Sequence, residues 1–383
     1  MIALRLLILV LLFHFTAFTK SVKVGLFADQ HSEQYSLQCT HGNYKVKTAN
    51  ASILSLNIDE EVLLTKIGNN VRVTSSGKIL GVYSRISIAP LTNDAMCRVY
   101  PGEKKENPLA CAGSVELKVV NNRLTPVNIV DIEEYTSAVV ESEISNLEHK
   151  EMVNVQAILT RTFVLGNLNR HADDGYNVCD RVHCQVYSGR NRYNSEIHKI
   201  VRSSRDKVVV GPDNRMLLAA YHSNCGGQTA PSGDAWSENI PALQSVIDSF
   251  CLASSNSRWT KSISSKRWID YLRSKGIVCE EESFPCVQLS EDTLHRSCCL
   301  LTSNQSIPAK TIRKDFNLKS AYFTISYGDS TIIFNGRGYG HGVGLCQQGA
   351  AAMAQSGFSA DEILSKYYCG VRVVRYSDVL QKR

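Results

Sequence analysis

This 383-residue chain is poor in long apolar runs and in blocks of like charge. Its N-terminal apolar stretch, Leu6 to Phe15 with His14 inside it, is shorter than the roughly 20 residues a membrane-spanning helix needs. No cysteine follows that stretch closely, the first being Cys39, which argues against a lipid-modified anchor. Basic runs do not exceed Lys104-Lys105 or Lys382-Arg383, and the net charge is only +6, so the electrostatic footprint of a nucleic-acid binder is missing. No Lys-Ser/Thr follows the glycine-rich run at Gly336 to Gly344, which rules out a phosphate loop. Residues 22–130 hold no nucleophile–base arrangement, and no His–Asp pair is placed to activate Cys346.

What is present begins with composition. An apolar fraction of 43% against 20% charged residues describes a globular chain, long enough for one large domain or two. Arg5, the short apolar run and Ala17-Phe18-Thr19 have the layout of a secretory signal peptide over residues 1–19, with a mature start near Lys20. The expectation is export to the periplasm or cell envelope, with membrane attachment only if that segment is retained. Thirteen cysteines in an exported chain predict several disulfides and, the count being odd, at least one cysteine in another role. Cys225 with Cys251 is one expected pair, and Cys97 with Cys111 brackets a loop that a disulfide would staple.

The pattern from Val22 to about Val130 is strand-like, with turns at Gly68-Asn69-Asn70 and Ser75-Ser76-Gly77. It predicts a β-rich module over 20–127 that packs on or presents the rest. From 128 onward the reading is mixed helix and strand, so the fold class is α+β, with a Cys-rich insertion near 279–306. Asp131 and Glu134 have the spacing of a capping box opening a short helix. A second helix, near Leu147 to Gly166, carries Met152, Val155, Leu159 and Phe163 as an apolar stripe. Ser257 to Thr260 and Trp268 to Leu272 read as helical, Tyr322 to Phe334 as a hairpin, and Ser359 with Glu362 as the cap of the last helix.

Chemistry concentrates between Tyr135 and Gly189. Glu143 lies at the corner between the two helices, beside Val139-Val140 and Ile144. An exposed glutamate titrates near ~4.3, so work as an acid at neutral pH requires burial against such neighbours. Glu141 is its rival and faces elsewhere. His171, Cys179, His183 and Cys184 form a Cys2His2 set that would close a four-ligand, structural zinc site. A Cys179–Cys184 disulfide is the competing arrangement.

Several blocks in this order resemble the stage II sporulation protein D (SpoIID/LytB) family. They are Val139-Val140-Glu141-Ser142-Glu143-Ile144, Glu151 to Ala157 running into Arg161-Thr162-Phe163, Cys179-Asp180 with His183 to Gly189, Ser223 to Gly227, and Gly336 to Gly344. The resemblance implies lytic transglycosylation of peptidoglycan glycan strands, with Glu143 as sole acid/base and a 1,6-anhydro sugar end as product. A non-catalytic enhancer of a wall amidase is the alternative it carries, with the amidase or the division machinery as partner. It also implies sugar contacts from Arg161, Gln185, Tyr187, Ser223, Arg337, His341 and Gln347. Some members carry a metal in the loop of His171 to Cys184. A zinc hydrolase is the third class, and a closed ligand set argues against it.

Overall fold

Alternating strands build the first half. The computed structural model describes residues 20–103, 106–144, 149–236, 238–277, 299–301 and 306–380. Twelve strands come first: β1 (Ser21–Gly25), β2 (Gln34–His41), β3 (Tyr44–Lys47), β4 (Ser52–Leu56), β5 (Glu61–Ile67), β6 (Asn70–Ser75), β7 (Lys78–Tyr83), β8 (Arg85–Pro90), β9 (Met96–Pro101), β10 (Leu109–Ala112), β11 (Ser114–Val120) and β12 (Arg123–Asp131). Their period-two pattern puts Val71 and Val73, Ile86 and Ile88, and Val115 and Leu117 on buried faces. Two sheets result, in the orders β10-β9-β2-β5-β6-β7 and β13-β1-β12-β11-β8-β3-β4, where β13 is Val178–Cys179. One apolar core, including Leu37, Val62, Val71, Val46, Ile86 and Val115, draws on both. The protein is therefore α+β with a β-rich N-terminal half.

The two regions are stitched together. Strand β12 runs straight through the expected boundary at 127/128, and β13 adds in parallel to β1 through Val24↔Val178 and Gly25↔Cys179. That junction carries the loop of the Cys2His2 set into the seven-stranded sheet.

Helix α1 (Ile132–Glu143) opens where expected, but the capping box is only half made. Asp131 accepts from the Glu133 amide at 2.8 Å, whereas the Glu134 carboxylate turns away to Arg190. Helix α2 (Lys150–Gly166) is buried on more than the one anticipated stripe. Met152, Val155 and Leu159 pack with Val209, Leu345 and Ile363, while Val153 and Ala157 pack against Val140 and against Ile197 and Val201 of α3 (Ser195–Ser203). A helix covered on both sides has no solvent face to pattern, which is why a one-stripe reading understates it.

Beyond α3 come β14 (Lys207–Val210) and β15 (Tyr221–His222), the latter parallel to Leu345–Cys346. Arg258–Ser264 is a strand and not a helix: it pairs with Thr331–Arg337, which in turn pairs with Phe323–Tyr327 in the expected hairpin. The helix Ser265–Ser274 follows it, and Trp268 packs there among Tyr271, Phe316 and Phe334. Ser359 and Glu362 form a complete capping box on the helix Ala360–Tyr367.

The glycine run serves backbone packing. A Cβ at Gly336 would stand 2.0 Å from the Trp259 ring, and one at Gly338 would stand 2.5 Å from the Asn224 carbonyl. The run lies against the segment that follows β15, with Asn224 and Tyr339 bridged. Residues 1–19, with the expected signal segment, and most of the Cys-rich insertion fall outside the described residues. Among the described residues no helix is long and apolar enough to cross a membrane.

Candidate functional site

Glu143 is the last residue of α1, and the chain turns extended at Ile144. Three elements meet its carboxyl group. The loop after the Cys2His2 set contributes the Val186 amide, which donates to Glu143 Oε1 at 3.4 Å. Strand β15 contributes the Tyr221 hydroxyl, and the helix Gln347–Gln355 contributes the Gln347 side chain at its first position. Gln347 also donates to Gln156 Oε1 of α2, at 3.4 Å. Behind the loop, the Tyr135 hydroxyl donates to Gln185 Oε1 at 3.2 Å, and the Ser142 and Ser188 hydroxyls meet at 2.6 Å.

All the groups that act on Glu143 are uncharged. Burial pushes its proton affinity above the ordinary carboxylate range; the Tyr221, Val186 and Gln347 hydrogen bonds draw it back only in part. The result is a carboxyl that holds its proton more tightly than an exposed glutamate, with donors placed to hold the anion once the proton leaves. That is the requirement for one group to give a proton and then take one back.

The other three glutamates of α1 are bound differently. Glu133 is buried and grips Arg161 of α2, with Arg161 Nη2 at 2.6 Å from Oε2. Glu134 pairs with Arg190 and with Arg202, the latter at 3.1 Å. Burial raises the Glu134 affinity, but Arg190, His198 and Arg202 outweigh it and leave the carboxyl below its usual range. Glu141, the expected rival, is buried, accepts from the Asn194 amide at 2.6 Å and lies 3.3 Å from the His198 imidazole.

The residues with implied sugar contacts divide into those around Glu143 and those elsewhere. Gln347 touches Glu143 directly; Gln185 reaches it through Tyr221. Arg161 is not placed to meet a sugar: it is 1% exposed and spent on Glu133, Ser204 and the Val201 carbonyl. Tyr187 is also buried, stacked on Tyr135 at 5.4 Å with its hydroxyl donating to Asn128. Both brace the framework, because a buried polar group must be paired inside it. The Arg337 guanidinium lies over the Tyr322 ring at 5.7 Å. His341 accepts from the Val343 amide and sits 5.5 Å from the Trp236 ring and 5.6 Å from the ring of His222, the residue after Tyr221. The partly exposed Ser223 holds the Gln348 amide through its carbonyl. Sequence reading did not single out Tyr221, two residues before the Ser223 block, or Gln156, which lies inside helix α2 and the Glu151–Ala157 block.

His171, Cys179, His183 and Cys184 come together, with one donor atom from each lying within 4.8 Å of the others. Cys184 Sγ stands 3.4 Å from His171 Nε2 and 3.7 Å from His183 Nδ1, and Cys179 Sγ stands 3.8 Å from His183 Nδ1. Bonds of about 2.0–2.3 Å to a tetrahedral ion place its ligands roughly 3.3–3.8 Å apart, so the set has the size a metal ion needs. His171 Nδ1 is held by Asp174 at 3.0 Å, which turns Nε2 toward the cluster. The Cys184 thiol donates to Cys179, lowering the latter's proton affinity. These residues could hold a metal ion. The ligand Cys184 is followed directly by Gln185 and Val186, so the cluster anchors the segment that carries the donor to Glu143.

The nine cysteines whose side chains are described are all thiols. Cys97 and Cys111 face each other on β9 and β10, but Cys97 points to the Cys111 carbonyl at 3.7 Å and the staple is not formed. Cys225 and Cys251 do approach, sulfur to sulfur at 3.4 Å, in a cluster with Cys346 and Asp248.

Comparison with known proteins finds sequence similarity to a described family and to several relatives. The SpoIID family model, described as stage II sporulation protein, matches residues 120–210. An uncharacterized protein of Brachyspira hyodysenteriae is 28% identical over 278 residues, covering 71% of this chain and 74% of that protein. Stage II sporulation protein D of Bacillus subtilis is 27% identical over 286 residues, covering 71% of this chain and 82% of that protein. The amidase enhancer of Bacillus subtilis is 25% identical over 279 residues, 59% of this chain but only 38% of the enhancer.

Proposed function

We propose that this SpoIID-family protein remodels the bacterial cell wall by cutting peptidoglycan glycan strands through lytic transglycosylation, with Glu143 as its single acid/base. The observation that carries the reading is the Glu143 carboxyl, ringed by neutral donors and holding its proton more tightly than an exposed glutamate because it is desolvated. In the first half-reaction Glu143 donates its proton to the glycosidic oxygen as the C1–O bond breaks and the leaving sugar departs as an alcohol. In the second, the 6-hydroxyl of the same sugar attacks C1 and Glu143 accepts its proton. The product is a 1,6-anhydro ring, no water is consumed, and the enzyme regains its starting protonation state. Tyr221, Gln347 and the Val186 amide hold the carboxylate between the two steps, and Trp236 with His341 offers an aromatic wall suited to sugar faces.

His171, Cys179, His183 and Cys184 would hold zinc, which suits two thiolates and two imidazoles. With four protein ligands the ion would be structural, its contribution being to fix the loop of Gln185 and Val186 under Glu143. Export to the cell envelope belongs to the same proposal, because the substrate lies outside the cytoplasm.

A second reading is supported by the likeness to an amidase enhancer: a wall-binding cleft that stimulates an amidase without cutting glycan. Digestion of purified wall sacculi, with and without stem peptides, separates the two. Mass spectrometry showing 1,6-anhydro ends supports cleavage. Absence of such ends, with stimulation of an added amidase, supports the enhancer.

A further inference from the structure

Cys225, Asp248, Cys251 and Cys346 stand at 121 positions' span in the chain yet bring one donor atom each to within 4.8 Å of the others. All four are buried, Cys225, Asp248 and Cys346 completely. Cys225 Sγ lies 3.2 Å from Asp248 Oδ2 and 3.4 Å from Cys251 Sγ, a few tenths of an ångström inside the edges of a tetrahedral thiolate–carboxylate site, so a small outward shift of the side chains would admit an ion.

The surroundings supply donors to the candidate ligands. The Cys225 and Gly349 amides each donate to Cys346 Sγ at 3.3 Å, the Gly226 and Gly227 amides donate to Cys251, and the Tyr367 hydroxyl donates to Asp248 Oδ2 at 2.9 Å. Such N–H···S and O–H···O contacts are what orient ligands and spread their charge around a bound ion. Gly349 is required for this approach, since a Cβ there would stand 2.3 Å from both Asp248 Oδ2 and the Tyr367 hydroxyl. The hydrogen-bond partners of the Asp248 carboxyl include Tyr367, Cys225, Cys346 and the Phe250 amide, none of them cationic. A carboxylate this deep is costly without a counter-charge, and a disulfide between two of the sulfurs would provide none.

We infer that Cys225, Asp248, Cys251 and Cys346 form a second metal site, a closed Cys3Asp site for zinc, separate from the His171 cluster. Three thiolates select a soft or borderline ion over calcium or magnesium, and four protein ligands make the site structural. It ties the end of β15, the loop at 248–251 and the start of the helix Gln347–Gln355. Those are the elements that bring Tyr221 and Gln347 to Glu143.

The test is metal analysis of the full chain purified without chelator. The expected content is two zinc per chain, falling to one in Cys251→Ala, to one in His171→Ala and to none in the double variant. In His171→Ala loaded with cobalt, the remaining site should show the strong near-ultraviolet charge-transfer absorption of several thiolates. One zinc in the wild type that survives Cys251→Ala overturns the inference, as does a disulfide mapped among Cys225, Cys251 and Cys346. If Cys251→Ala fails to fold, His171→Ala decides. One retained zinc, with all three cysteines recovered as thiols after chelation, supports the site; no zinc overturns it. None of these readouts depends on glycan cleavage, so failure here leaves the proposed function standing.

Discussion

The two ends of helix α1 carry the same residue type and put it to opposite use. Near the N-terminus, Glu133 and Glu134 meet arginines from α2, the 190 loop and α3. At the C-terminus, Glu143 meets a phenol, an amide side chain and a backbone amide. A carboxylate gripped by guanidinium groups acts as a brace, and at Glu134 those partners also hold the carboxyl below its usual range. The same group, half-buried among neutral donors, keeps its proton more tightly and can deliver it. What separates brace from acid on this helix is the charge of the partner, more than depth of burial.

The largest effect that breaks the comparison should come from Glu143→Gln. The amide keeps the size and much of the bonding but cannot carry the proton, so release of anhydro ends should fall on the order of 10²–10⁴-fold or more. Near wild-type release by this variant would remove Glu143 from the mechanism. Glu141→Gln, two positions earlier, should stay within a few-fold of wild type in the same assay.

Glu133→Gln tests the other end of the helix. It leaves Arg161 charged and buried, and breaking such a pair typically costs about 3–5 kcal/mol. The midpoint of urea unfolding should drop accordingly. A loss below about 1 kcal/mol would show that Arg161 finds water or another partner, and that α1 is not pinned there.

A smaller effect is expected at the Cys2His2 cluster. Asp174→Asn leaves all four ligands in place but weakens the hold on His171, and changes of this kind cost about 10–100-fold in metal affinity or activity. Competition with a chromophoric chelator measures the affinity directly. Unchanged affinity together with unchanged activity would separate the cluster from the positioning of Val186.

How much of this was legible without coordinates follows from distance along the chain. Glu143, the helix corner and the Cys2His2 set all lie between residues 135 and 189; spacing marks the helix corner and the ligand set, while Glu143 is singled out by the family resemblance, since its pattern alone reads as a solvated glutamate. Tyr221 and Gln347 reach the acid from elements 78 and 204 positions away by residue number, and no local pattern announces such a meeting. Of the Asp248 cluster, the sequence brought Cys225 and Cys251 together, as a disulfide, while Asp248 and the distant Cys346 went unread. Arg161 and Tyr187 misled because motif membership marks a residue as needed, without separating a bracing role from a sugar contact. Burial decides that, and burial of a polar side chain cannot be read from the surrounding pattern. The strand at Arg258–Ser264 was misread because its pairing partner, Thr331–Arg337, lies far downstream.

The finest test of the comparison is its pH dependence, where acid and brace carry opposite signs. Glu143 binds its proton more tightly folded than unfolded. Its contribution to stability is therefore fullest at low pH and declines as pH rises from the ordinary carboxylate range through its raised value. Glu134 binds its proton less tightly folded, so its contribution is present above the ordinary value and declines as pH falls through the lowered one. Activity should follow the Glu143 limb, since cleavage starts from the protonated acid and falls as that proton is lost. Tyr221→Phe removes a donor that favours the anion, so the alkaline limb of kcat/KM should move to higher pH, with only a few-fold change at the optimum. Glu134→Gln should leave that limb in place while removing the acid-side decline in stability. If Tyr221→Phe moves the limb to lower pH, the phenol is not donating to the carboxylate. If Glu134→Gln moves it at all, the two ends of α1 titrate as one system and the division between brace and acid fails.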